Sequence, residues 1–347
     1  MAKKSGFIIS LVLSCFLLFS PPGFAGIRTD LKSEFYFRFA DDDQMKGTFE
    51  LPGIELNPAF TLVGESGDLL TLAFQIYSGG AMSGPMKDMH YGNAYLLIPT
   101  GLGKPTFKLG QQIIPFGQLA EYDTHSQIIQ NLYAKSLGLR IDTGVSVYGM
   151  LGDYDYWFMV SNGTGPNRID ADRNKVITGR IAKTFQVGNS DLRLGVSALC
   201  GNLPHYMPGE DVYQDMMGMP KETFTETKTR YALDAEYSGG PILFRGELVA
   251  GKNKLDTGTG VIYGDAFGYY MELRYPLSNR IEILGKYDYW RPYAPLNETT
   301  TSKALEINFA MNKNLELQFA AERFNNYNIS GIPAERDRVT VQIGAFL

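Results

Sequence analysis

Cysteine and histidine are scarce in this chain. Of the two cysteines, Cys15 lies in an N-terminal apolar run and Cys200 lies far beyond it, so removal of that run excludes an intrachain disulfide. The three histidines, His90, His125 and His205, are far apart and show none of the His/Cys spacings of a zinc or haem site. The sequence therefore predicts no metal site and no cofactor.

An excess of positive charge is also absent. The chain has 32 Lys and Arg against 37 Asp and Glu, a net charge of −5, which gives no support for a nucleic-acid partner. A catalytic triad finds no support either. His125 adjoins Ser126, but consecutive side chains on a helix do not face each other. The sequence therefore predicts that the protein is not an enzyme.

Long hydrophobic runs are missing apart from one. Residues 7–19 are almost wholly apolar and follow Lys3 and Lys4, and small residues ending at Ala25 come next. Such a run is too short for a transmembrane helix, which needs about 20 residues. This pattern predicts a signal peptide over residues 1–25, cleaved after Ala25, and export of the protein.

Alternation of apolar and polar residues is what the rest of the chain has in abundance. It predicts strands in about sixteen segments. The segments are residues 33–40, 47–62, 68–78, 88–98, 104–112, 136–148, 153–163, 175–186, 190–200, 229–238, 241–252, 265–275, 280–290, 303–311, 314–325 and 336–346. Aromatic residues make up 13% of the chain, as suits the aromatic girdles of a membrane barrel.

The connections between these segments alternate between short and long, which is typical of outer-membrane barrels. We therefore expect an all-β fold over residues 26–347: a transmembrane antiparallel β-barrel of about 16 strands with an infolded third long loop. Its location would be a Gram-negative outer membrane, with outer-membrane lipid outside and water inside. An even strand count places both termini at the short-turn, periplasmic end. The alternative is a soluble sandwich or barrel with an apolar interior and a polar exterior.

Charged residues fall almost entirely on one face of the predicted strands. In the first strand Phe35, Phe37 and Phe39 alternate with Tyr36 and Arg38. A charge on the lipid face at the bilayer midplane costs about 2–4 kcal/mol, so the charged face should line the lumen. Lys183 departs from this pattern, which indicates either a place near a membrane interface or an error in register. The lumen charges are of both signs, which favours a general polar pore or salt bridges along the wall.

The third long loop, beginning near Ile113, is too apolar for a freely solvated segment. Asp123 or Thr124 is suited to cap a short helix whose apolar face holds Ile128, Ile129 and Leu132. We expect this loop to fold into the barrel and narrow it. The alternative is a loop packed under its neighbours or against another subunit. The candidate constriction residues are Arg140, Asp142, Glu121, Asp123, His125 and Lys108.

Three stretches resemble the phosphate-selective porin O and P family: residues 110–117 (GQQIIPFG), 139–145 (LRIDTGV) and 161–165 (SNGTG). The clear similarity covers about residues 105–165. It implies a 16-stranded porin, often trimeric, with Arg140 on the lumen wall near the third long loop. Phosphate selectivity transfers poorly from this resemblance, because selection of phosphate needs a ladder of donors of one sign.

Two functions remain open on the sequence alone. The first is an outer-membrane porin, a water-filled channel for small hydrophilic solutes or ions, with anions such as phosphate among them, and with a homotrimer as one assembly. The second is a barrel that serves as a sheath for a partner such as a periplasmic multihaem cytochrome. The chain has no CxxCH sequence, so any haem would belong to that partner.

Overall fold

Sixteen antiparallel strands form one closed barrel. The computed structural model describes residues 24–42, 47–65, 67–81, 90–101, 103–118, 128–129, 131–132, 137, 140–165, 173–204, 225–256, 260–291, 299–328 and 333–347. The strands are β1 (Phe24–Asp42), β2 (Thr48–Gly64), β3 (Gly67–Ala81), β4 (His90–Pro99), β5 (Thr106–Ile113), β6 (Ile141–Leu151), β7 (Tyr154–Ser161), β8 (Val176–Val187), β9 (Ser190–Pro204), β10 (Thr225–Gly239), β11 (Ile242–Asp256), β12 (Val261–Ser278), β13 (Ile281–Arg291), β14 (Thr300–Asn312), β15 (Leu315–Asn328) and β16 (Pro333–Phe346). Because β16 pairs with β1, the sheet closes on itself, and the predicted barrel of about sixteen strands is confirmed.

The two faces of the strands separate as the alternation predicts. On β12, Met271 and Leu273 point outward and are about half exposed, whereas Tyr270 and Glu272 between them point into the barrel and are buried. On β1, Phe35 is outward, and Tyr36 and Arg38 are buried inside. The outer face is therefore apolar over the barrel wall, as contact with lipid requires. Within the part of the chain that the structure describes, no helix has the length and apolar character needed to cross a membrane.

The main departure from the predicted strands is the start of β6. Alternation predicts a strand from residue 136, with Leu137 on the lipid face, but β6 begins at Ile141. Leu137 is fully buried and packs inside the barrel. The prediction for Leu137 was wrong because alternation cannot distinguish an apolar residue that faces lipid from one that packs against an infolded loop.

Lys183 keeps its outward position in the pairing of β8 with β7 and β9. Its ammonium lies 3.1 Å from the carboxylate of Asp153, in the short turn between β6 and β7. It also lies 4.9 Å from the ring centre of Tyr154 and 5.3 Å from that of Phe185. The lysine therefore sits at the short-turn rim among aromatic rings, which favours the interface interpretation over an error in register.

The first strand begins at Phe24, two residues before the predicted mature start at Gly26. Residues 1–23 lie outside the described part of the chain, so the signal peptide stays a prediction. The start of β1 and the end of β16 lie at the same end of the barrel, where the short turns are, as the even strand count requires.

Candidate functional site

The third long loop, residues 114–140, leaves the wall where β5 ends and returns where β6 begins. The amide N–H of Ile114 donates to the carbonyl of Arg140 at 2.9 Å, so the two ends of the loop are held together at the wall. The Phe116 amide then donates to the Ile114 carbonyl at 2.9 Å, which makes a sharp bend around Pro115. Phe116 is fully buried, although it belongs to a loop, so the bend points into the barrel.

Three contacts attach this bend to strands far away in sequence. The Gly117 amide donates to Ser197 Oγ on β9 at 2.9 Å, and the Gln118 amide donates to Glu247 Oε2 on β11 at 3.1 Å. The Tyr270 hydroxyl on β12 donates to Gln118 Oε1 at 2.7 Å. The loop thus crosses from β5 to the wall formed by β9, β11 and β12. The expected infolding is confirmed for these residues.

Glycine is required at position 117. Its φ of 54° lies in the left-handed region, which side chains with a Cβ adopt only at a cost. A Cβ added there would also lie 1.7 Å from Glu247 Oε1. The glycine in the PFG sequence therefore lets the backbone approach the carboxylate that accepts from Gln118.

The later part of the loop packs against β13 and its neighbours. Ile128 and Ile129 are buried in a cluster with Leu284 on β13 and Ala320 on β15. The Leu132 amide donates to Asp288 Oδ2 on β13 at 2.8 Å, and Lys286 on the same strand hydrogen-bonds the side-chain oxygen of Asn131. Ile128, Ile129 and Leu132 are thus buried, as their apolar character predicts. The helix predicted to carry these residues is not formed here, because Ile128 and Ile129 lie in a bend and Leu132 lies in a turn. The predicted caps, Asp123 and Thr124, lie outside the described residues.

Part of the barrel lumen is apolar, which sequence reasoning missed. Ile114, Phe116, Leu132 and Leu137 of the loop pack with nine inward-facing residues of the wall. These wall residues are Val176, Leu199, Leu203, Ala232, Val249, Ala266, Tyr270, Trp290 and Phe324. They lie on the same inward face of the strands as the charged residues. A prediction that treats this whole face as polar therefore misses them. We call these thirteen residues the lumen cluster.

The basic side chains of the wall between β8 and β13 are largely paired with acidic ones. The ion pairs join Arg180 to Asp234 (2.6 Å), Lys228 to Glu226 (3.2 Å), Arg245 to Glu236 (2.7 Å), Arg274 to Glu272 (2.7 Å) and Lys286 to Asp288 (3.8 Å). Partly or fully buried ion pairs of this kind fix side chains in place. The salt-bridged wall, one of the two possibilities left open by the sequence, therefore describes this side of the lumen.

Arg140 and Asp142 lie next to the root of the third long loop. Arg140 is 8% exposed, and its backbone carbonyl accepts from the Ile114 amide as described above. Asp142 is fully buried, and its carboxylate accepts from the amides of Thr143 (2.9 Å), Gly163 (2.5 Å) and Gly165 (3.2 Å). Asp142 of the LRIDTGV stretch therefore holds the turn after β7, which the SNGTG stretch forms.

Lys108 lies on β5 with its side chain in the lumen, near the short-turn end. Its ammonium is 3.8 Å from the ring centre of Tyr95 and 5.5 Å from that of Trp157, within the range of cation–π attraction. The structure thus separates the candidate constriction residues: Arg140 and Asp142 at the loop root, and Lys108 lower on the wall. Glu121, Asp123 and His125 lie outside the described residues, and their place at the constriction stays a prediction.

Among the residues that the structure describes, no group of three His, Cys, Asp or Glu side chains is close enough to share a metal ion. The free Cys200 is exposed on β9.

Solved outer-membrane proteins share this fold. An anion-selective porin from Comamonas acidovorans superposes with a TM-score of 0.69, at 15% identity over 93% of this chain and 100% of that chain. OmpT of Vibrio cholerae, in its trimer form, gives a TM-score of 0.69, at 12% identity over 93% of this chain and 100% of that one. The outer membrane channel DcaP of Acinetobacter baumannii gives 0.65, at 10% identity over 95% and 99% of the two chains.

No protein-family model and no curated protein matches the sequence. At 10–15% identity, the structural likeness is evidence for the fold alone. The chain folds as a 16-stranded barrel like those of the outer-membrane porins.

Proposed function

We propose that this protein is an outer-membrane porin, a water-filled channel through which small hydrophilic solutes diffuse. The observation that carries the proposal is the third long loop, which lies inside a closed 16-stranded barrel and is anchored on the opposite wall at Ser197, Glu247 and Tyr270. Sixteen strands enclose an aqueous channel, and a loop that crosses the lumen narrows it.

The charge arrangement favours broad selection of polar solutes. Five basic residues of the wall from β8 to β13 are each paired with a carboxylate, so their field is largely neutralised. A phosphate-selective channel needs unpaired donors of one sign along the path. Phosphate is therefore one of the anions that this channel would admit, and kinship with the phosphate-selective porins O and P remains part of the proposal.

The sheath for a multihaem cytochrome is the second candidate. A partner protein inside the barrel needs an open lumen, whereas here the lumen cluster fills part of it with the protein's own loop. This packing favours the porin over the sheath.

The proposal includes a Gram-negative outer-membrane location and assembly as a homotrimer. The barrel fold and its apolar outer wall support the location. One similar structure is a trimer form, and β1 and β2 carry an outward aromatic patch in which the ring centre of Phe49 lies 5.0 Å from Phe39 and 5.7 Å from Phe37. Such a patch suits contact with lipid or with a neighbouring subunit.

Conductance in planar lipid bilayers tests the proposed function. The purified protein should form channels, and replacing residues 117–133 with a short Gly/Ser linker should raise the single-channel conductance, because the loop no longer narrows the lumen. A matched variant that carries the same linker in place of residues 206–222, between β9 and β10, is the control. Absence of channels would contradict the porin. Unchanged conductance in the first variant, with the barrel intact, would show that the loop does not set the pore size.

A further inference from the structure

A cavity of about 800 Å³ lies beneath the third long loop at the short-turn end of the barrel. Ile129 of the loop forms its upper side, and the inner faces of β12–β15 form its wall. The turn between β12 and β13, with Asn279 and Arg280, borders its mouth. In the proposed orientation this mouth opens to the periplasm, so a solute that enters or leaves the channel passes through the cavity.

Two carboxylates in this cavity differ from the acidic residues of the neighbouring wall. Glu306 on β14 is 3% exposed and hydrogen-bonds Asn308, and Glu316 on β15 accepts from Gln318 Nε2 at 2.9 Å. Within the described residues, neither carboxylate has a basic group within ion-pair distance. The two carboxylates therefore have no ion-pair partner on this wall, whereas Glu272 is paired with Arg274.

The same cavity offers a further acceptor, and one of the two arginines in its lining is already paired. The side-chain oxygen of Asn308 is buried without a hydrogen-bond partner in the structure. Arg274 is already engaged, with its guanidinium 2.7 Å from Glu272 and 3.6 Å from Glu282. Apart from Arg280 at the mouth, the wall of the cavity therefore has more oxygen acceptors than uncommitted N–H donors. A ligand that supplies N–H donors and positive charge would complete the missing hydrogen bonds.

The spacing of Glu306 and Glu316 along the wall sets the length of that ligand. Glu306 is paired in register with Ala320, and Glu316 with Ala310, so each carboxylate lies opposite a methyl group that leaves space beside it. Glu316 lies on β15 opposite Ala310, four residues along β14 from Glu306. This offset and the distance between neighbouring strands place the two Cα atoms about 14 Å apart. Leu284 and Ile129 give the cavity an apolar side.

We propose that this cavity is a binding site for linear organic diamines. One ammonium would bind Glu306 and the Asn308 oxygen, the other would bind Glu316, and the methylene chain would lie along Leu284 and Ile129. This site rests on the proposed function, because a bound amine would block current only in a conducting channel. It adds a class of solute that the general polar pore does not specify.

Asymmetric block of single-channel current tests the site. 1,6-Diaminohexane added to one side of the bilayer should block the current at lower concentration than hexylamine does, and block from the opposite side should be weaker. Glu306→Gln and Glu316→Gln should each raise the blocking concentration of the diamine about tenfold, the lower range for loss of one charged hydrogen bond. In each variant the diamine and the monoamine should block the current at similar concentrations.

Glu236→Gln is the matched control, because Glu236 also faces the lumen in the short-turn half but lies outside the cavity, 2.7 Å from Arg245. The diamine should block this variant as it blocks the wild type. Equal block by diamine and monoamine in the wild type, or equal loss of block in Glu236→Gln, would overturn the site. In both cases the channels still conduct, so the proposed function stands. Absence of any conductance would instead contradict the proposed function.

Discussion

Glu247 holds the bend of the third long loop, and its removal should loosen the loop without unfolding the barrel. In Glu247→Ala the Gln118 amide loses its acceptor. The contacts of Ser197 with Gly117 and of Tyr270 with Gln118 remain, at 2.9 Å and 2.7 Å. The change therefore weakens one of several anchors on the wall.

The size of the effect follows from the contacts. An amide bonded to a carboxylate contributes about 1.5–3 kcal/mol, and each neutral hydrogen bond contributes about 1 kcal/mol. Burial of the Phe116 side chain adds about 1.5–3 kcal/mol. Loss of about 2 kcal/mol raises the population of the displaced bend about 30-fold, since each 1.4 kcal/mol corresponds to a factor of ten. The remaining contacts keep the bend in place most of the time.

Single-channel recording is the assay. Glu247→Ala should show more frequent transitions to a level of higher conductance, while its mean conductance changes little. Glu247→Gln keeps an acceptor oxygen but removes the charge, so it should fall between the wild type and Glu247→Ala. This variant separates loss of the anchor from loss of a negative charge in the lumen.

Gly117→Ala should disturb the same contact between the loop bend and Glu247. The added methyl group would displace the Glu247 carboxylate, and the left-handed backbone costs a further 1–2 kcal/mol, roughly. In the double variant Gly117→Ala/Glu247→Ala the clash is relieved, while the backbone cost and the loss of the Gln118 acceptor remain. The effect of the double variant should therefore be smaller than the sum of the two single effects. Strictly additive effects of the two substitutions would refute the proposed anchor. So would a Glu247→Ala channel that shows no more transitions to the higher conductance level than the wild type.

Two further predictions follow from the barrel and its loop root. Because a closed barrel leaves no open edge and resists detergent until it is heated, boiled and unboiled samples should migrate differently in gels; identical mobility would contradict the membrane barrel. Arg140→Ala should shift the reversal potential in a salt gradient toward cations, because a fixed guanidinium at the loop root attracts anions, and Arg140→Lys should retain the wild-type value. Equal reversal potentials in Arg140→Ala and the wild type would remove this residue from the pore.

Most of the barrel could be predicted from the sequence because period-two alternation is a direct consequence of two different solvents on the two faces. Phe35 and Phe39 against Tyr36 and Arg38 suffice to orient β1. The third long loop was also predictable, since a solvated loop would not carry Phe116 and the isoleucines that follow. In both cases a pattern of neighbouring residues is enough to predict whether a segment faces lipid or packs inside the barrel.

The interior of the barrel was less predictable because it depends on partners distant in sequence. Nothing near Glu247 indicates that it accepts from Gln118, and nothing near Asp142 indicates that it binds the amides of Gly163 and Gly165. The apolar residues among the inward positions were the available signal. Trp290 and Phe324 follow the parity of charged residues, which makes sense only if an apolar segment covers them.

The lumen cluster also constrains the order in which the barrel is assembled. Ile114 and Phe116 come from the first half of the chain, whereas Trp290 and Phe324 come from its last quarter. The apolar patch on the late strands is stable in water only when the early loop covers it, and contacts between distant residues form slowly. The loop must therefore be inside before or as β16 meets β1. If the barrel closed with the loop outside, the wall residues of the lumen cluster would be exposed to water. The barrel would then have to reopen before the loop could enter.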